Sequence, residues 1–227
     1  MKNYILALFL FFFVIIATYF VTVDNTIVNV KEVSSENICK VSEIKEENEQ
    51  YILNSYMPVT KINELNLEIE KNYNVIIDGF KKEILNLKQL ENEKKFTLNI
   101  NFTNYEYENY ISFIISFSYD LGGAHPDTDI ITINYNKESN SFVNIDTLIS
   151  ENENILDVFS NQSYEVLKNN KELLENEEIL KKAISPNKEN FEKFVFSKYG
   201  IILFFPNYTI ASYDLGSFEV LIGYDYL

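Results

Sequence analysis

The sequence predicts an α+β fold: an antiparallel sheet packed against one long helix and a second helical segment, all following a single N-terminal transmembrane helix. Three observations predict it. Residues 96–119 hold two runs of period-two alternation, Phe96, Leu98, Ile100 and Phe102, then Ile111, Phe113, Ile115 and Phe117, the pattern of half-buried strands. From Ile62 the apolar residues fall instead at steps of three and four (Leu65, Ile69, Tyr73, Ile76, Phe80, Ile84, Leu87), the pattern of an amphipathic helix. Tyr4 to Val23 carries no charge over 20 residues, enough to cross a hydrocarbon core.

The apolar run is flanked by Lys2 and Asp24, which orients residues 1–3 toward the cytoplasm and the rest outside. A cleaved signal peptide ending near Ala17 competes with this reading. Ile15 fits a small-x-small cleavage site poorly and the run continues past it, so we expect an uncleaved anchor over 4–23 in the cell membrane. Both readings place the folded part outside the cytoplasm. We divide the remainder into residues 24–92 and 93–227.

Beyond the anchor, Thr26 to Val33 reads as a short strand and 34–48 as a loop with a second strand near Ile38 to Ile44. Glu49 to Met57 reads as a strand halted by Pro58, and Thr60 as the N-cap of a helix of about 28 residues from Lys61. The alternating runs at 95–105 and 110–119 form a hairpin, followed by a third strand over 129–135. Asp146 is expected to cap a short helical turn, and 152–182 to hold one or two amphipathic helices stopped by Pro186. A hairpin over 191–205 and a last strand at Phe218 to Ile222 close the chain. The 18 Phe and 16 Tyr suit such sheet-rich packing.

Net charge is −15, which repels nucleic acid and favours a cationic partner, so no nucleic-acid target is expected. One histidine and one cysteine cannot assemble a zinc site, and neither a metal nor a cofactor is expected. Asp120, Asp127 and Asp129 around His125 imitate a mixed cation site, but they lack the spacing of a calcium loop and read better as carboxylates capping turn amides. No serine sits in a nucleophile elbow, and no catalytic residue is assigned. The candidate binding residues are Gly122, Gly123 and His125, in a glycine turn between two strands, with Tyr208, Tyr213 and Asp214 of a tyrosine-rich tail that also includes Tyr224 and Tyr226. The turn is expected to be a demanding corner, with Gly123→Val harming the fold.

The run Phe117-Ser118-Tyr119-Asp120-Leu121-Gly122-Gly123-Ala124-His125-Pro126, together with Tyr199-Gly200-Ile201-Ile202-Leu203-Phe204-Phe205-Pro206-Asn207-Tyr208-Thr209-Ile210-Ala211-Ser212-Tyr213-Asp214-Leu215-Gly216, resembles the DUF3298 domain. The strand near Pro58 and the long helix opened by Ile62-Asn63 resemble the DUF4163 region that precedes it, so that 24–92 is DUF4163-like and 93–227 DUF3298-like. The resemblance implies the extracytoplasmic domain of lysozyme-sensing anti-sigma factors and of some peptidoglycan deacetylases. It therefore implies a module without catalysis that binds a basic protein such as lysozyme, or peptidoglycan. With three residues before the span and none after Leu227, neither a sigma-factor-binding domain nor a deacetylase domain is expected. The competing expectation is an envelope hydrolase acting through His125 and nearby carboxylates.

Overall fold

A computed structural model describes residues 21–23, 26–33, 39–87 and 94–227, with side chains from Cys39 onward. Eight strands form one sheet in sequence order: β1 (Val21–Val23), β2 (Thr26–Val33), β3 (Lys40–Glu47), β4 (Tyr51–Val59), β5 (Phe96–Tyr107), β6 (Tyr110–Asp120), β7 (Asp127–Asn136) and β8 (Ser141–Phe142). Every neighbouring pair is antiparallel except β4–β5. That pair is parallel because helix α1 (Asn63–Asn86) intervenes and returns the chain to the same end of the sheet. One sheet therefore runs through both 24–92 and 93–227.

The helical period of α1 becomes a buried stripe, Leu65, Ile69, Tyr73, Ile76, Phe80 and Ile84. It packs on Leu53, Leu98, Ile100, Phe113, Ile115 and Ile133 of the sheet, each such side chain contributing about 1.5–3 kcal/mol by leaving water. Tyr73 keeps its hydroxyl satisfied inside this layer by donating to the Tyr56 carbonyl at 2.7 Å.

A second sheet, in the order β11 (Phe218–Gly223), β10 (Gly200–Phe205), β9 (Phe194–Ser197), packs on the opposite face of the first. Its own core is closed by helices α2 (Ile145–Glu151), α3 (Ile155–Leu167), α4 (Lys171–Leu174) and α5 (Glu177–Ala183), with Phe159, Phe191, Phe194 and Phe205 fully buried. The two sheets are joined by a polar clamp. The Ser112 hydroxyl donates to Asn134 Oδ1 (2.6 Å) and accepts from the Phe196 amide (3.1 Å), while Asn134 Nδ2 donates to the Phe194 carbonyl (2.9 Å). Two side chains thus satisfy backbone groups on the edge of β9 that would otherwise be buried unpaired.

Several local expectations are corrected. Pro58 belongs to β4 rather than ending it; it lies beyond the stretch paired with β5, where a missing N–H costs no ladder bond. Thr60 does not cap α1: Ile62 holds that position, and Thr60 is bound instead to the Asn66 side chain through its amide (2.7 Å) and hydroxyl (2.9 Å). The cap of α2 is Asn144, which forms a reciprocal capping box with Thr147, and Asp146 sits in the first turn, favoured there by the helix dipole. The segment 152–182 forms three helices, the break before α4 being capped by Asn170. Of the expected span 4–23, residues 21–23 form strand β1, and residues 4–20 lie outside the described ones. Among the described residues no helix is long and apolar enough to cross a membrane.

Candidate functional site

The turn between β6 and β7 is built by its first acid. Asp120 accepts the Gly122 amide at 2.9 Å and the Lys94 ammonium at 2.6 Å, and this cationic partner, with the amide, holds its carboxyl below the usual carboxylate range. Gly122 has φ +81°, a conformation open to glycine at little cost. Gly123 is less constrained than expected: it has no positive φ, and a Cβ there would meet nothing closer than the His125 carbonyl oxygen at 3.7 Å. Its substitution is therefore not the folding lesion the sequence suggests. Pro126 then directs the chain into β7.

The other half of the site comes from the loop between β10 and β11. The Thr209 amide bonds the Pro206 carbonyl at 3.1 Å, and Tyr208 is held inside that turn at φ +66°. A tyrosine in the left-handed region is uncommon and costs on the order of 1 kcal/mol. Ile210, 3% exposed, anchors the loop, and a 3-10 turn over Tyr213–Leu215 follows.

These two loops meet. The His125 ring stacks on Tyr213 with centroids 3.7 Å apart and planes 14° from parallel, and the Tyr213 hydroxyl donates to the Pro126 carbonyl at 3.0 Å. The Tyr208 hydroxyl lies 3.4 Å from His125 Nε2, and the Tyr208 ring is 5.5 Å from that of Tyr213. His125, Tyr208 and Tyr213 therefore form one cluster at the surface, His125 and Tyr208 exposed and Tyr213 half-buried, with Gly122 and Gly123 shaping the turn that carries the histidine. Asp214 is exposed and turned to local partners, its carboxyl held below the usual range by Ser212 and its own amide. Tyr224 belongs to neither loop: it stacks on Tyr107 at the other end of β6.

Next to the cluster, Asn207 Nδ2 reaches Thr128 Oγ1 at 3.3 Å. These two residues are the end wall of a cleft of about 390 Å³ between the second face of the large sheet and the strands β10 and β11. Its floor is Asn99, Asn101, Thr103, Ser116 and Ser118, and Phe204, Phe218 and Tyr105 add ring surface. The sequence hides this floor, because these residues read as the solvent side of alternating strands. Asp129 at the rim is paired with Lys193 and caps the Ile130 amide, so Asp120 and Asp129 each bond a turn or strand amide and a lysine. Among the described residues, no group of three His, Cys, Asp or Glu side chains converges on a point that could hold a metal ion.

The family model described as a protein of unknown function, DUF3298, matches residues 146–225. Over this segment the chain is similar to the DUF3298 family. The segment includes the Tyr199 to Gly216 run and lies wholly after the glycine turn. Over 166 residues, 73% of its length, the chain is 29% identical to the peptidoglycan-N-acetylmuramic acid deacetylase PdaC of Bacillus subtilis (strain 168), of whose length it spans only 36%. Crystal structures of DUF3298 family proteins share the fold. One from Pseudomonas aeruginosa PAO1 has a TM-score of 0.61 with 15% identity, covering 89% of this chain and 91% of its own. One from Bacteroides fragilis NCTC 9343 has a TM-score of 0.54 with 15% identity, covering 88% and 92%.

Proposed function

We propose that the chain is an extracytoplasmic binding module, without catalysis, that recognises peptidoglycan glycan in the cleft ending at Thr128 and Asn207, and that the apolar run up to Phe20 tethers it to the membrane. One observation carries the reading. The cleft floor is made of amides and hydroxyls with no lysine, flanked by ring surfaces and by the Asp129 and Glu219 carboxylates, a set of donors, acceptors and flat apolar faces that suits hydroxyl- and acetamido-bearing sugars. The name of the Bacillus relative supports the same substrate class. Titration of the full chain with soluble peptidoglycan fragments tests it. Saturable binding that changes little between low and high salt supports it, and absence of binding overturns it.

Two further readings each have an observation in their favour. The net charge of −15 favours a lysozyme-like basic protein as the ligand, and binding of that kind weakens steeply with salt. The relative's deacetylase activity favours an enzyme. That reading requires a base to activate water, and the one histidine, stacked on Tyr213 beside the Tyr208 hydroxyl, is the residue to test. Acetate release from peptidoglycan that disappears in His125→Ala supports catalysis; no release by the intact chain rejects it.

A further inference from the structure

The end of β6 away from the glycine turn carries a second cleft, of about 460 Å³, that the proposed glycan site does not involve. The two ends are separated by the 11 residues of β6, roughly 35 Å of extended strand. This cleft gathers residues far apart in the chain: Tyr107 and Tyr110 flank the turn between β5 and β6, Phe196 comes from β9, and Tyr224 follows β11. Tyr107 and Tyr224 stack with centroids 4.8 Å apart, and Tyr110 and Phe196 at 3.9 Å. The Tyr224 hydroxyl is fixed by donating to the Ser197 carbonyl at 2.8 Å. Leu148, Ile155 and Ile201 make the inner wall apolar.

The charged groups of this cleft all have one sign. Glu108 and Glu151 line it, no lysine does, and among the described residues neither carboxylate is in an ion pair. The field of these acids reaches the rings, where it helps raise the Tyr110 hydroxyl above its ordinary pKa after the larger effect of burial. By contrast Glu46, Glu47, Glu106, Asp129 and Asp146 each have a lysine at the carboxylate. An apolar wall, electron-rich ring faces and hydroxyls, and two carboxylates at the rim with no lysine partner are complementary to a hydrocarbon stem that ends in a positive charge. We propose that this cleft binds a primary alkylammonium group through Glu108, Glu151 and the Tyr107, Tyr110 and Tyr224 rings. Such a group is carried by a free alkylamine or by a lysine side chain of a polypeptide.

Calorimetric titration of the full chain tests this with pentylammonium, Nα-acetyl-lysine methylamide and, as the uncharged control, pentanol. Both carboxylates are exposed, so Glu108→Gln and Glu151→Gln leave the fold intact, and circular dichroism checks that they do. Pentylammonium is expected to bind, pentanol to bind at least tenfold more weakly, and each substitution to weaken the amine about fivefold. Binding of the lysine derivative as tight as pentylammonium identifies a polypeptide side chain as the source; a derivative that binds much more weakly identifies a free amine. Equal binding of pentanol, or an amine affinity unchanged in the double variant, overturns the proposal. So does the absence of amine binding to the unsubstituted chain.

Discussion

Gly200 shows how sharply single positions differ in what they permit. Its φ is +150°, and a Cβ there would lie 2.0 Å from the Ile222 carbonyl oxygen across the β10–β11 ladder, a distance that backbone cannot yield without breaking the strand pair. Gly200→Ala is expected to cost more than about 2 kcal/mol, whereas Gly123→Ala stays within about 0.5 kcal/mol, as measured by urea unfolding. The sequence points to the wrong one of these glycines, because a Gly-Gly pair is conspicuous while a lone glycine after a two-residue hairpin turn gives no sign of what faces it. Tyr208 is the converse case. Its strained φ and 64% exposure mean that it is not held there by packing. Tyr208→Gly is expected to leave stability equal or raise it by up to about 1 kcal/mol while weakening ligand binding, which separates a functional residue from a structural one. Asp120 supplies a pH test. Its folded pKa lies below the ordinary value of 3.8, so its stabilising contact with Lys94 and Gly122 is complete above that value and is lost as pH falls through the folded pKa. Its side-chain carbon resonance is expected to titrate below 3.8 and to move back toward that value in Lys94→Met.

At the scale of elements, the clamp between β9 and the large sheet is what the fold can least spare. Ser112 and Asn134 are 0% and 4% exposed and hold the Phe196 amide and Phe194 carbonyl. Asn134→Ala leaves buried backbone and hydroxyl groups without partners and is expected to lower stability by about 2–3 kcal/mol in urea unfolding, with β9 amides losing hydrogen-exchange protection first. Several elements are legible in the sequence: β5, β6 and β7 and the helix α1 follow from apolar periodicity, since the residues each turns to the core between α1 and the large sheet recur at a fixed step. The clamp is not legible. Ser112 and Asn134 occupy the polar positions of alternating strands, and such positions read as solvated unless a second layer is known to cover them. Helix caps fail for a different reason: Thr60 and Asp146 have cap-forming side chains, but the amide and hydroxyl of Thr60 are taken up by the Asn66 side chain, and Asn144 rather than Asp146 accepts the Thr147 amide.

At the scale of the whole molecule, two sheets share one buried interface, and the loops that leave it define two separate surfaces. The tail tyrosines, which look like one group in the sequence, divide between them: Tyr208 and Tyr213 join His125 across 83 and more positions, while Tyr224 joins Tyr107 at the far end of β6. Contacts over such separations leave no local pattern, so the candidate residues could be listed from the sequence but not assembled. We propose above that the cleft beside His125, Tyr208 and Tyr213 holds peptidoglycan glycan. It is tested most directly by titrating the full chain with soluble peptidoglycan fragments at about 0.05 and 0.5 M salt, in parallel with a Ser116→Arg variant whose side chain enters the cleft floor. Saturable binding is expected, changed less than about twofold by salt and abolished by Ser116→Arg in a protein that still folds. Binding untouched by that substitution, or binding that collapses at the higher salt, would contradict it.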